Sequence, residues 1–288
     1  MNKPISELLE FGIINIDKSS GPTSFDVSDF VKKKLNLRKT SHFGTLDPKV
    51  TGVLPVALNR ACKLTGYFLG EDKEYVGIMR FHEEIDRKKI EEIIKRKFLG
   101  KIKQTPPVKS RVKRQERERE IKSFDILEQD ENKKDFLFKT EVQGGTYIRK
   151  LIDDLGKEIR IGAHMLELRR VRAGIFKEET IVNLYDFEKA VDEYQKGNEK
   201  LLREIILPAT ETLKKIFKKV EIKKESVERI LHGQPIYNKN LINKEKAEDN
   251  QIICIFCKEQ FIGVFKVING KDIFAKSEFV FQEIKKEK

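Results

Sequence analysis

The stretch HFGTLDPKVTG, residues 42–52, holds one acidic side chain, Asp47, directly before a proline and between two glycines. A carboxylate fixed in so short a loop can act as a base, a metal ligand or a nucleophile. The loop offers only His42 as a companion for a metal ion, which makes a metal site a poor fit. Because an aspartate before proline is ordinarily a turn residue, the loop alone leaves catalysis and turn formation both open.

The composition of this chain limits the classes of partner that it is expected to bind. Its 288 residues carry a formal net charge of +12. A strong positive charge favours a polyanionic partner, nucleic acid first, although a merely soluble basic protein has the same balance. Three cysteines argue against a disulfide framework and suit a reducing compartment. Without a long apolar run or a signal-peptide pattern, we expect a soluble, intracellular protein with no membrane partner.

Cys254 and Cys257 form a C-x-x-C pair within QIICIFCKEQF, a run that predicts a buried strand. Side chains three apart on a strand point to opposite faces, and no second Cys or His pair lies nearby in the sequence. We therefore predict two apolar core residues rather than a zinc site.

The elements around Asp47 are predicted from apolar spacing and turn residues. FGIINIDK indicates a strand, and the Gly-Pro turn after it leads to Thr23, with Asp26 three residues on as a capping partner. An apolar stripe from Val27 to Leu35 then predicts a helix. GGTYIRKLIDDLGKEI has a Gly-Gly start and apolar residues at helical spacing, which predicts a second amphipathic helix.

Strands and helices interleave without the regular alternation of a doubly wound sheet, which predicts an α+β fold. After about residue 215 the chain changes to short strands separated by turn residues, typical of a small β-rich module. We therefore expect a larger domain over residues 1–215 and a smaller one over residues 216–288. Residues 101–120, KIKQTPPVKSRVKRQERERE, show no helical or strand period until their end.

Six blocks occur in order along the chain: GIINIDKSSGPTS, HFGTLDPKVTGVLPV, KEYVG, QTPPVKSRVKR, GGTYIRKLIDDLG and GAHMLELRR. Together they resemble the TruB family of RNA pseudouridine synthases. The motif sequences are more similar to the archaeal and eukaryotic branch, dyskerin and its archaeal homologues, than to the bacterial tRNA enzymes. The resemblance is strong over about residues 11–180. Residues 217–288 resemble more weakly a PUA domain, a small β-barrel that binds RNA. The resemblance implies a catalytic domain with a central, mostly antiparallel sheet.

Such an enzyme breaks the bond from C1′ to N1 of uridine, rotates the base and rejoins it through C5. This chemistry needs no redox step or group transfer, so the resemblance implies no cofactor and no metal. It assigns Asp47 as the catalytic carboxylate and leaves open whether attack falls on C1′ or C6. Arg149 matches the arginine that pairs with this aspartate. We expect its permanently charged guanidinium to keep a buried Asp47 ionised and oriented.

The resemblance implies further site residues. Tyr75, in KEYVG, matches the catalytic tyrosine that stacks on the target base and can take part in proton removal. The substrate-binding positions correspond here to His42, Tyr147, Leu168 and Lys18. In bacterial relatives a histidine at the first of these positions fills the gap left by the flipped base, while the second and third are a pocket aromatic and an apolar wall. Without the resemblance, Tyr75 would be interpreted as a core residue, His42 as a surface residue and Leu168 as ordinary packing.

The basic segment within residues 101–120 supplies candidate contacts to RNA phosphates, namely Lys109, Arg111, Lys113 and Arg114. In the archaeal branch this region resembles a mobile loop that closes on substrate RNA. Phosphate contacts weaken with salt and do not read the base sequence. Three glutamates reduce the net positive charge in the second half of this segment, so a solvated charged hairpin is the alternative.

The leading prediction is the catalytic subunit of a box H/ACA ribonucleoprotein directed by a guide RNA. This implies substrate and guide RNA, together with protein partners of the Nop, Gar and kink-turn-binding types. The alternatives are a stand-alone synthase acting on the tRNA T-loop and an RNA-binding scaffold for ribosome assembly. The intact set of Asp47, Tyr75 and Arg149 disfavours a scaffold. We expect a cytoplasmic location for an archaeal protein and a nuclear or nucleolar one for a eukaryotic protein.

Overall fold

A computed structural model describes residues 3–106, 113–268 and 270–282 of the chain. The elements divide into two compact units, Met1–Leu207 and Pro208–Lys288. Each unit has a hydrophobic core of its own. The predicted boundary, between residues 215 and 216, lies one helix further along the chain than this division.

The first unit combines helices with one large sheet, the α+β class that the sequence predicts. Its strands are β1 (Gly12–Lys18), β2 (Thr40–His42), β3 (Thr51–Leu58), β4 (Lys73–Phe81), β5 (Gly100–Gln104), β6 (Arg117–Gln129), β7 (Asp135–Val142), β8 (Ala163–Ala173), β9 (Phe176–Lys177) and β10 (Ile206–Pro208). Its α-helices are α1 (Ile5–Glu10), α2 (Ser24–Lys34), α3 (Thr65–Leu69), α4 (Arg87–Ile93), α5 (Ile148–Ile159), α6 (Leu184–Gln195) and α7 (Lys200–Ile205). Shorter helical turns are Asn59–Leu64, Ile94–Phe98 and Glu178–Thr180.

The described strands of this unit follow the order β10-β1-β3-β8-β4-β7-β6-β5, with β2 added to β3 and β9 added to β8. The pairs from β8 through β4, β7 and β6 to β5 are antiparallel, whereas β3 and β8 run parallel. The sheet is thus mostly antiparallel, as expected. Because β3, β8 and β4 lie side by side, the loop before β3 is brought next to the middle of the sheet.

The two predicted helices form on either side of the Asp47 loop in sequence. At the start of α2, the Thr23 hydroxyl accepts the Asp26 N–H at 3.1 Å and the Asp26 carboxylate accepts the Thr23 N–H at 2.8 Å, which completes the predicted capping box. α5 packs against β8 through its apolar stripe. Gly156 permits this close packing, since a Cβ there would lie 2.1 Å from the Ala163 nitrogen.

β5 corrects one prediction from the sequence. Residues 101–104 form a strand paired antiparallel with the start of β6, where the sequence indicates no regular structure. The alternation of exposed Lys101 and Lys103 with half-buried Ile102 and buried Gln104 is only four residues long. So short a pattern does not separate a strand from a loop.

The second unit is a curled, half-barrel sheet, consistent with the predicted PUA-like module. Its strands are β11 (Lys218–Glu221), β12 (Ile236–Tyr237), β13 (Ile252–Cys257), β14 (Gln260–Val267) and β15 (Ile273–Val280). Its helices are α8 (Ala209–Lys214) and α9 (Val227–Leu231), with short turns at Lys224–Ser226 and Asn238–Asn240. Among the described residues the strand order is β11-β13-β14-β15-β12.

Cys254 and Cys257 are both buried on β13, as predicted for core residues. Burial raises the pKa of the Cys254 thiol to about 12, and a neutral thiol is not the form that binds zinc. Within the described ranges, no three His, Cys, Asp or Glu side chains cluster in a way that could hold a metal ion. No described helix is long and apolar enough to cross a membrane.

We predict that Gly52→Ala lowers the free energy of unfolding by at least about 2 kcal/mol. Gly52 has φ +98°, and a Cβ at this position would lie 2.3 Å from the Arg170 carbonyl oxygen, where β3 and β8 pair. The measurement is chemical denaturation of the purified protein. Gly66→Ala on α3 is the control, since no atom lies within 4 Å of a Cβ there. Equal stability of the two variants would contradict the close approach of the strands.

Candidate active site

Asp47 lies in the loop between β2 and β3, and the residues on either side of it anchor this loop in the core. Leu46 and Val50 are each only 3% exposed and anchor the loop. The Asp47 side chain is 46% exposed, and its Oδ2 lies 2.8 Å from Nη2 of Arg149, whose side chain is 56% exposed. The structure therefore brings the two predicted residues together. The expectation that the carboxylate is buried is wrong, because both partners are open to solvent.

The exposure of the Asp47–Arg149 pair sets its physical role. Ion pairs in contact with solvent contribute about 0 to 1 kcal/mol to stability, so this pair does little to hold the fold together. Its effect is local orientation: the guanidinium fixes Oδ2 at a point that a ligand can reach. A reactive group placed at an open surface must take its rigidity from the residues beneath it.

Lys18 supports the Asp47 loop from inside the protein. It is the last residue of β1 and is fully buried, at 0% exposure. Its ammonium group donates hydrogen bonds to the carbonyl oxygens of Ser19 (3.0 Å), Pro48 (2.9 Å) and Val50 (2.8 Å). All three ammonium protons thus point at backbone oxygens, two of them in the loop. In place of the predicted substrate contact, the structure gives Lys18 a positioning role.

The charge of Lys18 adds an electrostatic effect to these hydrogen bonds. Burial lowers the pKa of Lys18, the Asp47 carboxylate opposes this shift, and the Arg170 guanidinium adds to it. A buried ammonium group is costly unless it is fully hydrogen-bonded, and the three carbonyl groups provide that compensation. Asp47 consequently has a positive charge behind its loop as well as Arg149 beside it.

Arg170 is a second buried cation that ties the loop together. On β8 it is 1% exposed, its Nε donates to the Val53 carbonyl at 2.8 Å, and its Nη2 donates to the Gly44 carbonyl at 3.0 Å. The two acceptors lie on opposite sides of Asp47 in sequence. Burial lowers the pKa of Arg170, and the electrostatic interaction and then the hydrogen bond with Tyr75 oppose this shift.

Ser24, the first residue of α2, fixes the peptide before Asp47. Its buried hydroxyl accepts the Leu46 N–H at 2.8 Å and donates to the Leu46 carbonyl at 3.0 Å. In addition, the Gly21 N–H donates to the Pro48 carbonyl at 3.0 Å, which joins the turn before α2 to the loop. Backbone groups on both sides of Asp47, those of Leu46 and the Pro48 carbonyl, are therefore held by residues of the GPTS turn region.

Lys73 is a third buried cation in the same region, at 4% exposure. Its ammonium group donates to the carbonyl oxygens of Phe68, Leu69 and Glu71 at the end of α3. Burial, and then the charge of Arg170, lowers the pKa of Lys73 to about 8. The sequence analysis did not single out Lys73. The alternation of side chains along a strand could have indicated it, since Lys73 and Tyr75 lie two residues apart and share a face of β4.

Tyr75 and Leu168 lie on the same face of the sheet as Arg170. Tyr75 pairs with Arg170 across β4 and β8, and Leu168 lies opposite Gly77 two residues on. Tyr75 is 8% exposed and Leu168 is 7% exposed. The predicted pocket residues are thus brought together, but so little of the tyrosine is open that a stacking base could reach only a small part of its ring.

His42 ends β2 and is half-buried. Burial, and then the charge of Arg170, lowers the pKa of His42, so its imidazole is neutral at neutral pH. In the part of the chain that the structure describes, its buried Nδ1 finds no hydrogen-bond partner. A neutral ring is compatible with the predicted position between bases, and that role stays a prediction.

The remaining predicted residues are Tyr147 and the four basic residues of the segment 101–120. Tyr147 is the residue directly before α5 and is half-buried. Lys113 and Arg114 are exposed, as phosphate-binding side chains must be. Lys109 and Arg111 lie outside the described residues. The contacts of all four basic residues with RNA stay predictions.

Two segments of the chain match family descriptions. Residues 32–148 match the "TruB family pseudouridylate synthase (N terminal domain)", and residues 149–214 match the "tRNA pseudouridylate synthase B C-terminal domain". A probable tRNA pseudouridine synthase B of Methanopyrus kandleri is 42% identical over 256 residues, which cover 88% of this chain and 75% of that protein. Its counterpart in Methanocaldococcus jannaschii is 40% identical over 275 residues, covering 94% and 81%.

Solved structures agree with these relatives. The fold matches a chain in the crystal structure of a Cbf5-Nop10-Gar1 complex with a TM-score of 0.87 and 37% identity, over 97% of this chain and 88% of that one. A chain of an H/ACA RNP bound to a substrate RNA containing 2′-deoxyuridine matches with a TM-score of 0.86 and 35% identity, over 98% and 88%. Fold and site together define an RNA pseudouridine synthase, an isomerase. The chain belongs to the TruB family of these enzymes.

We predict that Lys18→Met lowers the single-turnover rate of pseudouridine formation by at least about 10-fold and changes the Kd for RNA by less than about 2-fold. The substitution keeps the length of the side chain but removes the Lys18 donor from the Val50 carbonyl, and leaves the Pro48 carbonyl with only the Gly21 N–H. Lys49→Met is the control, because it removes the same charge from an exposed position in the same loop. An equal rate loss in both variants would return Lys18 to a purely electrostatic role.

Proposed function

We propose that this enzyme converts specific uridines of RNA to pseudouridine as the catalytic subunit of a guide-RNA-directed box H/ACA ribonucleoprotein. The likeness to a Cbf5 chain solved with Nop10 and Gar1, over 97% of this chain, is the observation that carries the proposal. The match to an H/ACA RNP that holds substrate RNA supports it further. The net charge of +12 suits a protein that contacts both a guide and a substrate strand.

In this proposal Asp47 is the catalytic carboxylate and Arg149 holds it toward the flipped uridine. The bond from C1′ to N1 breaks, the bond from C1′ to C5 forms, a proton leaves C5 and N1 becomes protonated. The composition of the RNA does not change, so beyond the attack by Asp47, on C1′ or C6, the residues need only bind, orient and move a proton. The 2.8 Å contact between the two side chains, at an exposed position, supports these roles.

Tyr75 and Leu168 form the wall against which the base is received. Both lie on neighbouring strands, and Arg170, which pairs with Tyr75 across β4 and β8, also donates to the Gly44 carbonyl of the loop. An aromatic face and an aliphatic side chain are the ordinary means of holding an extruded base. His42 and Tyr147 complete the substrate-binding set in this proposal.

Buried positive charges stabilise the anionic groups that take part in this reaction. Lys18, Lys73 and Arg170 all donate to backbone carbonyl groups, so their positions are fixed before RNA arrives. Fixed charges that need no rearrangement during the reaction are the most effective form of electrostatic support. They favour the Asp47 carboxylate and the phosphate groups of an RNA strand laid over the loop.

Nop-type and Gar-type proteins are partners in this proposal because a similar chain was solved with Nop10 and Gar1. A kink-turn-binding protein is included as a partner only because the proposal includes a guide RNA. The second unit would bind RNA as a PUA-like module. It has a cavity of about 330 Å³, a mostly polar site with three basic side chains and one acidic one that suits phosphate and ribose groups; it is lined by Lys223, Glu225, Ser226, Arg229, Ile230, Gln234, Lys239 and Asn240.

A stand-alone enzyme acting on the T-loop of tRNA is the second candidate. The curated relatives are named as probable tRNA pseudouridine synthases B, which favours it. The two candidates share the catalytic residues and differ in how the substrate RNA is selected.

We predict that Asp47→Asn abolishes tritium release from 5-tritiated uridine in RNA while the Kd for RNA changes by less than about 3-fold. The amide keeps the shape of the side chain but removes its negative charge. Asp192→Asn on α6, an exposed position, is the control and is expected to release tritium at the normal rate. Retained release by Asp47→Asn would overturn the catalytic assignment.

We predict that turnover on a guided target depends on the guide RNA. The purified full chain is offered an unmodified tRNA transcript and a guide-plus-target pair, each with and without Nop-type, Gar-type and kink-turn-binding proteins. Tritium release from the target strand only when guide and partners are present supports the H/ACA proposal. Full activity on tRNA by the chain alone, with none on the guided target, would replace it with the stand-alone reaction.

A further inference from the structure

Gln104, the last residue of β5, is a buried polar side chain with no role in the chemistry above. It is 3% exposed. Its Oε1 accepts the Tyr147 N–H at 3.1 Å, and its Nε2 donates to the Tyr147 carbonyl at 3.3 Å. The side-chain amide therefore pairs with both backbone groups of a single residue, as a neighbouring strand would. Such a two-point contact fixes the position of the partner backbone as well as its hydrogen bonding.

The partner of Gln104 stands at the start of the helix that carries Arg149. Tyr147 immediately precedes α5, and its carbonyl also accepts the Leu151 N–H at 2.9 Å, which is the first turn of the helix. N–H groups at a helix start have no acceptor within the helix, and Gln104 supplies one. Arg149 lies two residues after Tyr147, so a shift of this start would move the guanidinium against Asp47.

The segment before α5 is held by the neighbouring strand as well. The Arg119 guanidinium on β6 donates through Nε to the Gly145 carbonyl at 3.1 Å. The Gln143 N–H donates to the Glu120 carbonyl at 2.8 Å. The start of α5 is therefore set by the paired strands β5 and β6, and Gln104 makes the contact nearest to Arg149 in sequence.

We propose that Gln104 is a positioning residue of the pseudouridine synthase reaction, which sets the start of α5 so that Arg149 meets Asp47. This inference rests on the proposed roles of Asp47 and Arg149. It separates two functions of one buried amide: filling the core, which any side chain of similar size performs, and pairing with Tyr147, which needs one donor and one acceptor.

The substitution Gln104→Glu tests the pairing because its effect reverses with pH. The ionised carboxylate accepts the Tyr147 N–H but has no donor, and it places a negative charge beside the Tyr147 carbonyl. The protonated carboxyl group has one O–H donor and one carbonyl acceptor, so it reproduces the amide pair. Burial raises the pKa of such a carboxyl group. Activity should therefore return as the pH falls through that raised pKa.

The experiment measures single-turnover tritium release with the full chain, under the RNA condition that supports turnover by the wild type. At about pH 8, Gln104→Glu and Gln104→Ala are each expected to be at least about 10-fold slower than wild type, with Kd for RNA within about 3-fold. Toward about pH 5.5, the rate of Gln104→Glu relative to wild type rises at least about 5-fold. The relative rate of Gln104→Ala stays flat. Gln195→Glu, at the exposed end of α6, is the matched control and follows the wild type throughout.

A double-mutant comparison tests whether Gln104 acts through Arg149. In an Arg149→Lys background, adding Gln104→Ala should slow the reaction by less than about 2-fold, since the contact that Gln104 positions is already altered. A full additional loss in that background would overturn the proposal. So would a pH-independent relative rate for Gln104→Glu, or a rate loss in either variant that follows the loss of folded protein in thermal denaturation. Retained tritium release by Asp47→Asn would instead refute the catalytic assignment, whatever the Gln104 variants do.

Discussion

Hydrogen bonds from buried cations to backbone carbonyl groups determine the conformation of the Asp47 loop. Lys18 reaches the carbonyls of Pro48 and Val50, and Arg170 reaches those of Gly44 and Val53. A cation withdrawn from water is costly unless its protons are directed at acceptors. The loop path that supplies these carbonyl groups is therefore favoured over paths that would leave the ammonium or guanidinium protons unpaired, and this positions Asp47.

This arrangement divides rigidity and reactivity between different residues. The Asp47–Arg149 pair is open to solvent and adds little to stability. The groups beneath it are buried and make the loop rigid, yet none of them needs to touch the substrate. An isomerase that uses no group transfer depends on orientation, so a rigid support under an accessible carboxylate is the feature that its chemistry requires.

The sequence predicted the local elements well because their signals are local. The capping box of α2, the apolar stripe of α5 and the apolar run of β1 are each read within about a dozen residues, and the pairing of Asp47 with Arg149 followed from the family resemblance. The support of the loop was not predicted, since periodicity shows which face is buried but not which carbonyl a lysine will reach. Arg170 and Gly44 lie 126 positions apart, and Lys18 and Val50 lie 32 apart. The exposure of the Asp47–Arg149 pair was misjudged for the same reason: it depends on distant residues that surround the loop.

The separation between Arg170 and the loop also has a consequence for protein synthesis. The loop emerges from the ribosome early, but the guanidinium that joins Gly44 to Val53 lies 117 residues beyond Val53. Contacts so distant along the chain form only after the intervening segment has been made, and they form slowly. A nascent chain that ends before β8 thus carries Asp47 without the Arg170 side chain that braces its loop, and the loop can take its final conformation only after β8 has been made.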